Sequence, residues 1–293
     1  VRQYASPASF RAAVDDRLRT YARKTEVPIQ VVRRQAALER LMARLALIAP
    51  GRWALKGGLA LDTRLPDHAR PSMDMDIDHV LGAAAAREDL LRAAACDLGD
   101  HFAFAIAGMD DVQQGGRRLA IRYRFEASVA GMMFETVQVD VTAMAPEVWE
   151  VESGHRPGLL CDVGLGPIEV MMVPLERQVA EKLHAYTRRY NGESTRVRDL
   201  SDLVIICLFE SVDARRLREE IKRTFASRDT HPVPDVLPAP PTDWARAYSE
   251  EAKAIGIPAE LARGYRLAAR WLDPVLKGTA GGIWNPRGQV WAP

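Results

Sequence analysis

Two carboxylates one residue apart, Asp74 and Asp76, follow a Leu55-Lys56-Gly57-Gly58 turn across a short helical run. No other feature restricts the chain as much. Side chains alternate faces along a strand, so Asp74 and Asp76 project together while Met73, Met75 and Ile77 point into apolar packing. Asp78 falls on the same face, farther along. Magnesium takes oxygen ligands and holds phosphates through one or two carboxylates, so this spacing suits a metal-bound nucleoside triphosphate. A D-x-D pair is easily met in a chain with 39 Asp and Glu residues, and an ordinary strand-to-helix turn is the plain alternative for the glycines before it. The flanking segments favour the first reading. Arg52-Trp53-Ala54-Leu55 reads as a strand and Leu59 to Leu65 as a helix. Strand, glycine turn and helix start leave unpaired backbone N–H groups aimed at an anion, and glycine lets the anion come close.

The rest of the chain reads as a mixed first part and a helical second part. From Ser9 to Ala49 the apolar positions Phe10, Val14, Leu18 and Tyr21, then Val31, Leu38, Leu41, Leu45 and Ile48, recur every three or four residues, which predicts two or three amphipathic helices ended by Pro50-Gly51. A helix is expected over 83–98, stopped by Gly99. Segments 102–107, 118–127 and 132–142 alternate like strands, with Gly115-Gly116 and Gly131 as turns. Residues 145–166, rich in Pro and Gly, read as an excursion before a strand over 168–173, and Pro174 suits the first turn of a helix. Further helices are expected near 174–190, 196–210, 213–227, 242–255 and 258–272, with a proline-rich loop over 231–241. The tail from Gly278 to Pro293, with Trp284 and Trp291, either packs on the surface or is partly disordered. The fold class expected is α/β in the α+β sense and bilobed, with a mixed sheet and flanking helices over 1–173 and a helical domain over 174–293.

A chain of 293 residues exceeds the usual single domain, and 47% hydrophobic with 27% charged residues places it among soluble globular proteins rather than disordered ones. No apolar run is long enough to span a bilayer, and the start of the chain, with Arg2, Arg11, Asp15, Asp16 and Arg17, lacks the core of a secretion signal. A cytoplasmic protein with no membrane partner is expected. Cys96, Cys161 and Cys207 lie far apart without C-x-x-C spacing and read as reduced and structural. His79, His101, His155 and His184 share no metal-ligand spacing and no dependable Ser or Cys partner, so hydrolase chemistry has no support. A net charge of +1 decides nothing about nucleic acid. Arginine clusters do occur, at Arg33-Arg34, Arg117-Arg118, Arg188-Arg189, Arg196 with Arg198, and Arg215-Arg216 with Arg218. Guanidinium groups bind phosphates in a fork and stack on bases, though solvated helix faces have the same composition.

Four blocks in order carry a resemblance. Lys56-Gly57-Gly58, Arg70-Pro71-Ser72-Met73-Asp74-Met75-Asp76, Val137-Gln138-Val139-Asp140-Val141, and the helical pair Glu181-Lys182-Leu183-His184-Ala185 with Arg198-Asp199-Leu200-Ser201-Asp202-Leu203 together resemble the AbiEii-type nucleotidyltransferases. These are the toxin half of type IV toxin–antitoxin pairs, within the DNA polymerase β-like superfamily, and include mycobacterial tRNA-modifying members. The match runs from about Trp53 to Leu208. Two departures stand out. Leu65-Pro66-Asp67-His68-Ala69 reads as a loop inserted between helix and strand, and Gly58 replaces the serine common in the wider superfamily.

The resemblance implies a magnesium-dependent enzyme, with manganese as the substitute ion, that moves a nucleoside monophosphate from an NTP to a hydroxyl and releases pyrophosphate. Asp74, Asp76 and Asp140 would hold the metal, with Lys182 and Asp199 completing the catalytic set. Lys56, Gly57, Gly58, Ser72, Arg198 and Asp202 would contact the nucleotide. The implied acceptor is an RNA 3′ hydroxyl, the tRNA acceptor end, with translation blocked as the outcome and an antitoxin encoded alongside as partner. From the residues alone other readings stay open. Asp140 could belong to an ordinary polar strand face, and Lys182 could be a surface lysine paired with a carboxylate. Asp199 and Asp202 share a helix face and could orient Lys182, hold a base, or steady the helix pair. The acceptor could be a protein or small-molecule hydroxyl such as an antibiotic's, or the chain could bind nucleotide or RNA without catalysis.

Overall fold

The structure is a computed structural model that describes residues 4–114, 117–143, 145–188 and 196–293. The expected Gly115-Gly116 turn, Arg2 and Arg189 lie outside the described residues. The chain falls into two compact units, residues 1–64 with 71–173, and residues 65–70 with 174–293.

In the first unit, helix α1 (Pro7–Thr25) starts on a capping box in which Ser6 and Ser9 satisfy each other's backbone N–H, and it buries Phe10, Val14 and Leu18 at four-residue spacing. Helix α2 (Ile29–Ile48) ends just before Pro50-Gly51. Strand β1 (Trp53–Lys56) runs directly into α3 (Gly57–Arg64), followed by β2 (Asp74–His79) and α4 (Ala83–Ala95). Three long strands come next, β3 (Phe102–Gln114), β4 (Arg117–Val129) and β5 (Met132–Thr142), then β6 (Glu152–Arg156) and β7 (Ile168–Met172). They form one mixed seven-stranded sheet in the order β3-β4-β5-β2-β1-β7-β6. Pairs β2–β5 and β1–β7 are parallel, and the others are antiparallel.

Alternation divides the sheet into two faces. Met75 and Ile77 of β2, Tyr123 and Phe125 of β4, and Val137, Val139 and Val141 of β5 are buried in one core with α1, α2 and α4. The residues between them, including Asp74, Asp76 and Asp140, lie on the opposite face.

Several expected boundaries move for local reasons. Helix α4 stops at Ala95 because Cys96 is extended and the Asp97 side chain accepts the Gly99 N–H in a tight turn. Strand β3 continues to Gln114 because it pairs with β4 along its whole length, through two register shifts, with Arg118 reaching Asp111 at 3.6 Å and Arg124 paired to Asp110. Cross-strand pairing outweighs the polar composition of that stretch. Residues 152–156 form a strand inside the segment read as an excursion, an edge strand whose Ser153-Gly154-His155 sequence hides it.

Two buried charge networks tie this unit together. Arg44 donates to both oxygens of Asp100, at 2.7 and 3.1 Å, and to the carbonyl of Phe102, while Arg40 donates to Asp100 at 2.7 Å. Burial pushes the Asp100 carboxyl upward, but the hydrogen bonds and charges of Arg44 and Arg40 outweigh it and hold the group below its ordinary value. In the second network Arg156 of β6 binds Glu39 of α2 at 3.0 Å and Asp62 of α3 at 2.8 Å, which pins the short α3 to its neighbours.

The second unit holds α5 (Leu175–Thr187), α6 (Val197–Phe209), α7 (Ala214–Arg228), α8 (Ala245–Ala254) and α9 (Leu261–Leu276). Nearly all of α6 is buried, with α5, α8 and α9 packed against it, while α7 packs on α5. The tail is ordered: β8 (Ile283–Asn285) and β9 (Val290–Ala292) form a hairpin. Trp284 is buried and donates to the Cys207 carbonyl at 2.7 Å, and Trp291 donates to the Trp271 carbonyl at 3.0 Å. The indole N–H groups that find these acceptors make Trp284 part of the core and hold the half-buried Trp291 against it. No described helix is long and apolar enough to cross a membrane.

Two predictions follow from the buried ionisable groups. Asp100→Asn leaves two buried guanidinium groups without their counter-charge and is expected to lower unfolding stability by about 3–5 kcal/mol in urea titration. His184 is buried against Phe225 and His231 and hydrogen-bonded to Thr230 at 2.9 Å. Burial first, then the positive charges of Arg228, His231, Arg188 and Arg196, push it from 6.5 down to about 3. The unfolded chain therefore takes up a proton that the folded chain refuses, so stability falls as pH drops from 6.5 toward 3. Melting temperature is expected to decline less steeply over that window in His184→Gln than in the wild type.

Candidate active site

Strand β1 ends at Lys56 and α3 begins on the next residue, so the glycine turn has no intervening loop. Gly57 has φ of 63°. A Cβ there would overlap the Asp76 Oδ2 and lie 3.2 Å from its Cγ. Glycine is thus required twice, by the left-handed backbone and by the carboxylate seated against it. Gly58 follows as the second residue of α3.

Register then builds a row of charge. Asp76 lies opposite Asp140 across the parallel β2–β5 pair and opposite Lys56 across β1–β2, while Asp140 lies opposite Arg122 across β4–β5. Arg122, Asp140, Asp76 and Lys56 form one line across four strands, with Asp74 two residues along from Asp76 and opposite Gln138. The Lys56 ammonium lies 3.3 Å from Asp78, a carboxylate that is almost wholly buried. Arg122 grips Asp140 with both arms, Nε to Oδ1 at 2.8 Å and Nη2 to Oδ2 at 2.6 Å. That hydrogen-bonded pairing first, and then, against the opposing effect of burial, the charges of Asp140, Asp74 and Asp76, hold the guanidinium in its charged form more firmly than usual. Three carboxylates therefore share its field. Among the described residues no group of three His, Cys, Asp or Glu side chains stands ready to hold a metal ion, and Asp140 is turned to Arg122. Ser72 precedes β2 rather than lying within it. Its buried hydroxyl donates to the Asp74 carbonyl at 3.1 Å and steadies the start of the strand.

The remaining expected residues belong to the second unit. Lys182 of α5 is mostly buried, 3.3 Å from the Asp199 carboxylate and in direct contact with that of Asp202, both on α6. Burial alone would lower its affinity for the proton, but the two carboxylates outweigh that and raise it well above the ordinary lysine value. Asp199 also accepts from Arg196 at 3.3 Å. Arg198, one residue before Asp199, is exposed.

Two charged residues, Arg122 and Glu251, join these clusters without having been singled out in the sequence, and a third, Arg70, stands there only as part of a motif with no role of its own. Arg122 shows itself only through strand register, since alternation with the buried Ile121 and Tyr123 puts it on the outer face. Arg70 precedes the Pro-Ser-x-Asp-x-Asp run and pairs with Glu251 at 3.4 Å and Asp202 at 3.9 Å. Burial first raises the Glu251 carboxyl above its ordinary value, against the pull of Arg70. No sequence signal marks Glu251, which lies in an amphipathic helix far from any motif. Beside Arg70, His68 stacks on Phe209 with ring centroids 3.8 Å apart.

The family model described as "Nucleotidyl transferase AbiEii toxin, Type IV TA system" matches residues 40–266. The chain belongs to that family, and is a nucleotidyltransferase of the toxin type. Among solved structures it is similar to MenT4, a nucleotidyltransferase toxin from Mycobacterium tuberculosis H37Rv, at 18% identity and a TM-score of 0.55, over 89% of this chain and 98% of that one. A likeness at that identity shows a shared fold. An antigenic nucleotidyltransferase-like protein from Paracoccidioides brasiliensis aligns over 67% of this chain and 89% of its own at 15% identity, with a TM-score of 0.35 that carries no argument. No curated protein sequence matches the chain significantly.

Gly57→Ala is expected to reduce nucleotidyl transfer by about 100-fold, because the added methyl displaces the Asp76 carboxylate from its seat. A single-turnover assay with saturating nucleotide measures this. Transfer within threefold of wild type would show that the seat has no role.

Proposed function

We propose that this chain transfers a nucleoside monophosphate from a magnesium-bound NTP to the 3′ hydroxyl of an RNA, with the tRNA acceptor end as the favoured acceptor, and that an antitoxin partner restrains it. The observation that carries this reading is the parallel register that sets Asp76 beside Asp140, with Asp74 on the same face and Gly57 making room for the Asp76 carboxylate. Three carboxylates are the hard oxygen donors that magnesium takes, so the residues present suit the ion. Asp74, Asp76 and Asp140 would hold it, and when bound it supplies charge neutralisation at the phosphates and a more acidic attacking hydroxyl.

The chain's own residues set the remaining roles. The acceptor oxygen forms a bond to the α-phosphorus as the bond to the β-phosphate bridging oxygen breaks, the hydroxyl proton passes to solvent, and pyrophosphate leaves. Lys182 keeps its proton at any working pH, so it serves as fixed positive charge for phosphate and does not shuttle protons. Asp199 and Asp202 hold that ammonium in one orientation, and its third N–H gives it capacity for a further acceptor. Gly57 and Gly58 keep the start of α3 open to a close anion. The tRNA acceptor and the antitoxin rest on the family rather than on the geometry, with exposed Arg198 as the motif residue suited to a phosphate backbone.

Incubation of the protein with total tRNA, total protein and each radiolabelled NTP tests the reading. Label is expected in the tRNA fraction, and Asp74→Ala and Lys182→Ala are each expected to lower it by at least about 1,000-fold. Undiminished labelling by both variants would refute the mechanism, and label confined to protein would move the acceptor.

A further inference from the structure

Arg122 has no role in the reading above, yet it holds one of the three carboxylates that reading needs. Its fork takes both oxygens of Asp140, at 2.8 and 2.6 Å. A two-armed arginine–carboxylate pair is among the strongest charge-assisted contacts in proteins. A divalent cation approaching Asp140 therefore meets an acid already neutralised, with a like charge fixed beside it. We propose that Arg122 competes with the divalent metal for Asp140, so that the metal binds fully only together with a nucleoside triphosphate, whose charge gives the guanidinium another partner. This rests on the metal-nucleotide reading of Asp74, Asp76 and Asp140.

The sheet itself builds the competition. Arg122 is the direct cross-strand neighbour of Asp140, and Asp140 is the direct neighbour of Asp76, so the three stay in line while the ladder is intact. The two cations at the ends of the row differ in their freedom to move. Lys56 is 15% exposed and lies against an Asp78 that is 1% exposed. Arg122 is 38% exposed and can swing outward without opening the core. Arg124, its nearest like-charged neighbour on β4, is committed to Asp110 of β3 and does not take its place at Asp140. An enzyme arranged in this way avoids holding a metal without substrate, and becomes metal-loaded when the triphosphate arrives. Arg122 is a positioning residue here, acting through Asp140.

Manganese binding, followed by electron paramagnetic resonance of the free ion, tests this on the full chain with and without a non-hydrolysable NTP analogue. Arg122→Gln is expected to bind manganese alone at least about tenfold tighter than wild type, and to gain less from the analogue. The gain is expected to vanish when Asp140→Asn is added. Arg122→Lys, which keeps the charge but loses the fork, is expected to lie between, and it carries the same comparison should Arg122→Gln fail to fold. Manganese affinity equal to or below wild type in the folded variants overturns the proposal, since an arginine that merely orients Asp140 would leave affinity unchanged or lower it. Failure of wild type to bind manganese even with the analogue would overturn the metal reading as well, which separates the two failures.

Discussion

Parallel pairing of β2 with β5 in a single register is the constraint on which the chemistry proposed for the first unit depends. It sets Asp76 opposite Asp140, and with antiparallel partners on either side it extends the line to Lys56 and Arg122. A slip of one residue would turn Met75 and Val139 outward and drive the carboxylates into the core, so the apolar face defends the register that the polar face uses. Helices α2 and α4 supply that defence by covering the buried valines and methionine. The site is thus held by packing on the side of the sheet away from it.

The second unit handles charge differently. Its lysine is buried between two acids on a helix that is itself almost entirely buried. Removing a charge from water is costly unless partners are close and well oriented, and the Asp199–Lys182–Asp202 arrangement meets that requirement. One consequence is that Lys182 loses the conformational freedom of an exposed lysine. In the proposed role, a cation already immobilised would give up little entropy on meeting a phosphate.

Much of this architecture was legible in the sequence because periodicity was strong where burial was one-sided. Phe10, Val14 and Leu18 announce α1, the alternating valines announce β5, and Leu55 through Asp76 announce the strand–helix–strand run around the glycine turn. Where signals failed, a neighbour had overridden composition. The outer part of β3 is polar and pairs only because β4 lies alongside, and β6 contains a glycine among polar residues and exists as an edge to β7. The Trp284 and Trp291 tail reads as loose from its glycines and prolines, yet indole N–H groups lock it to Cys207 and Trp271. Of the candidate site residues, the carboxylate spacing and the lysine-bearing helix could be read directly. The Arg122 and Glu251 contacts could not, since one needs the β4–β5 register and the other needs the helical packing.

Residues 65–70 group with the helices although the chain on both sides of them belongs to the sheet-bearing unit. The polypeptide therefore changes unit three times, after Arg64, after Arg70 and after Val173. Neither unit is encoded by one uninterrupted stretch. A fragment ending at Val173 would present His68 and Arg70 without Phe209, Asp202 and Glu251, and one beginning at Pro174 would lack the ring and guanidinium that cover them. Exchange of helical segments between relatives would have to transplant this hexapeptide along with them, or leave a seam just upstream of Asp74.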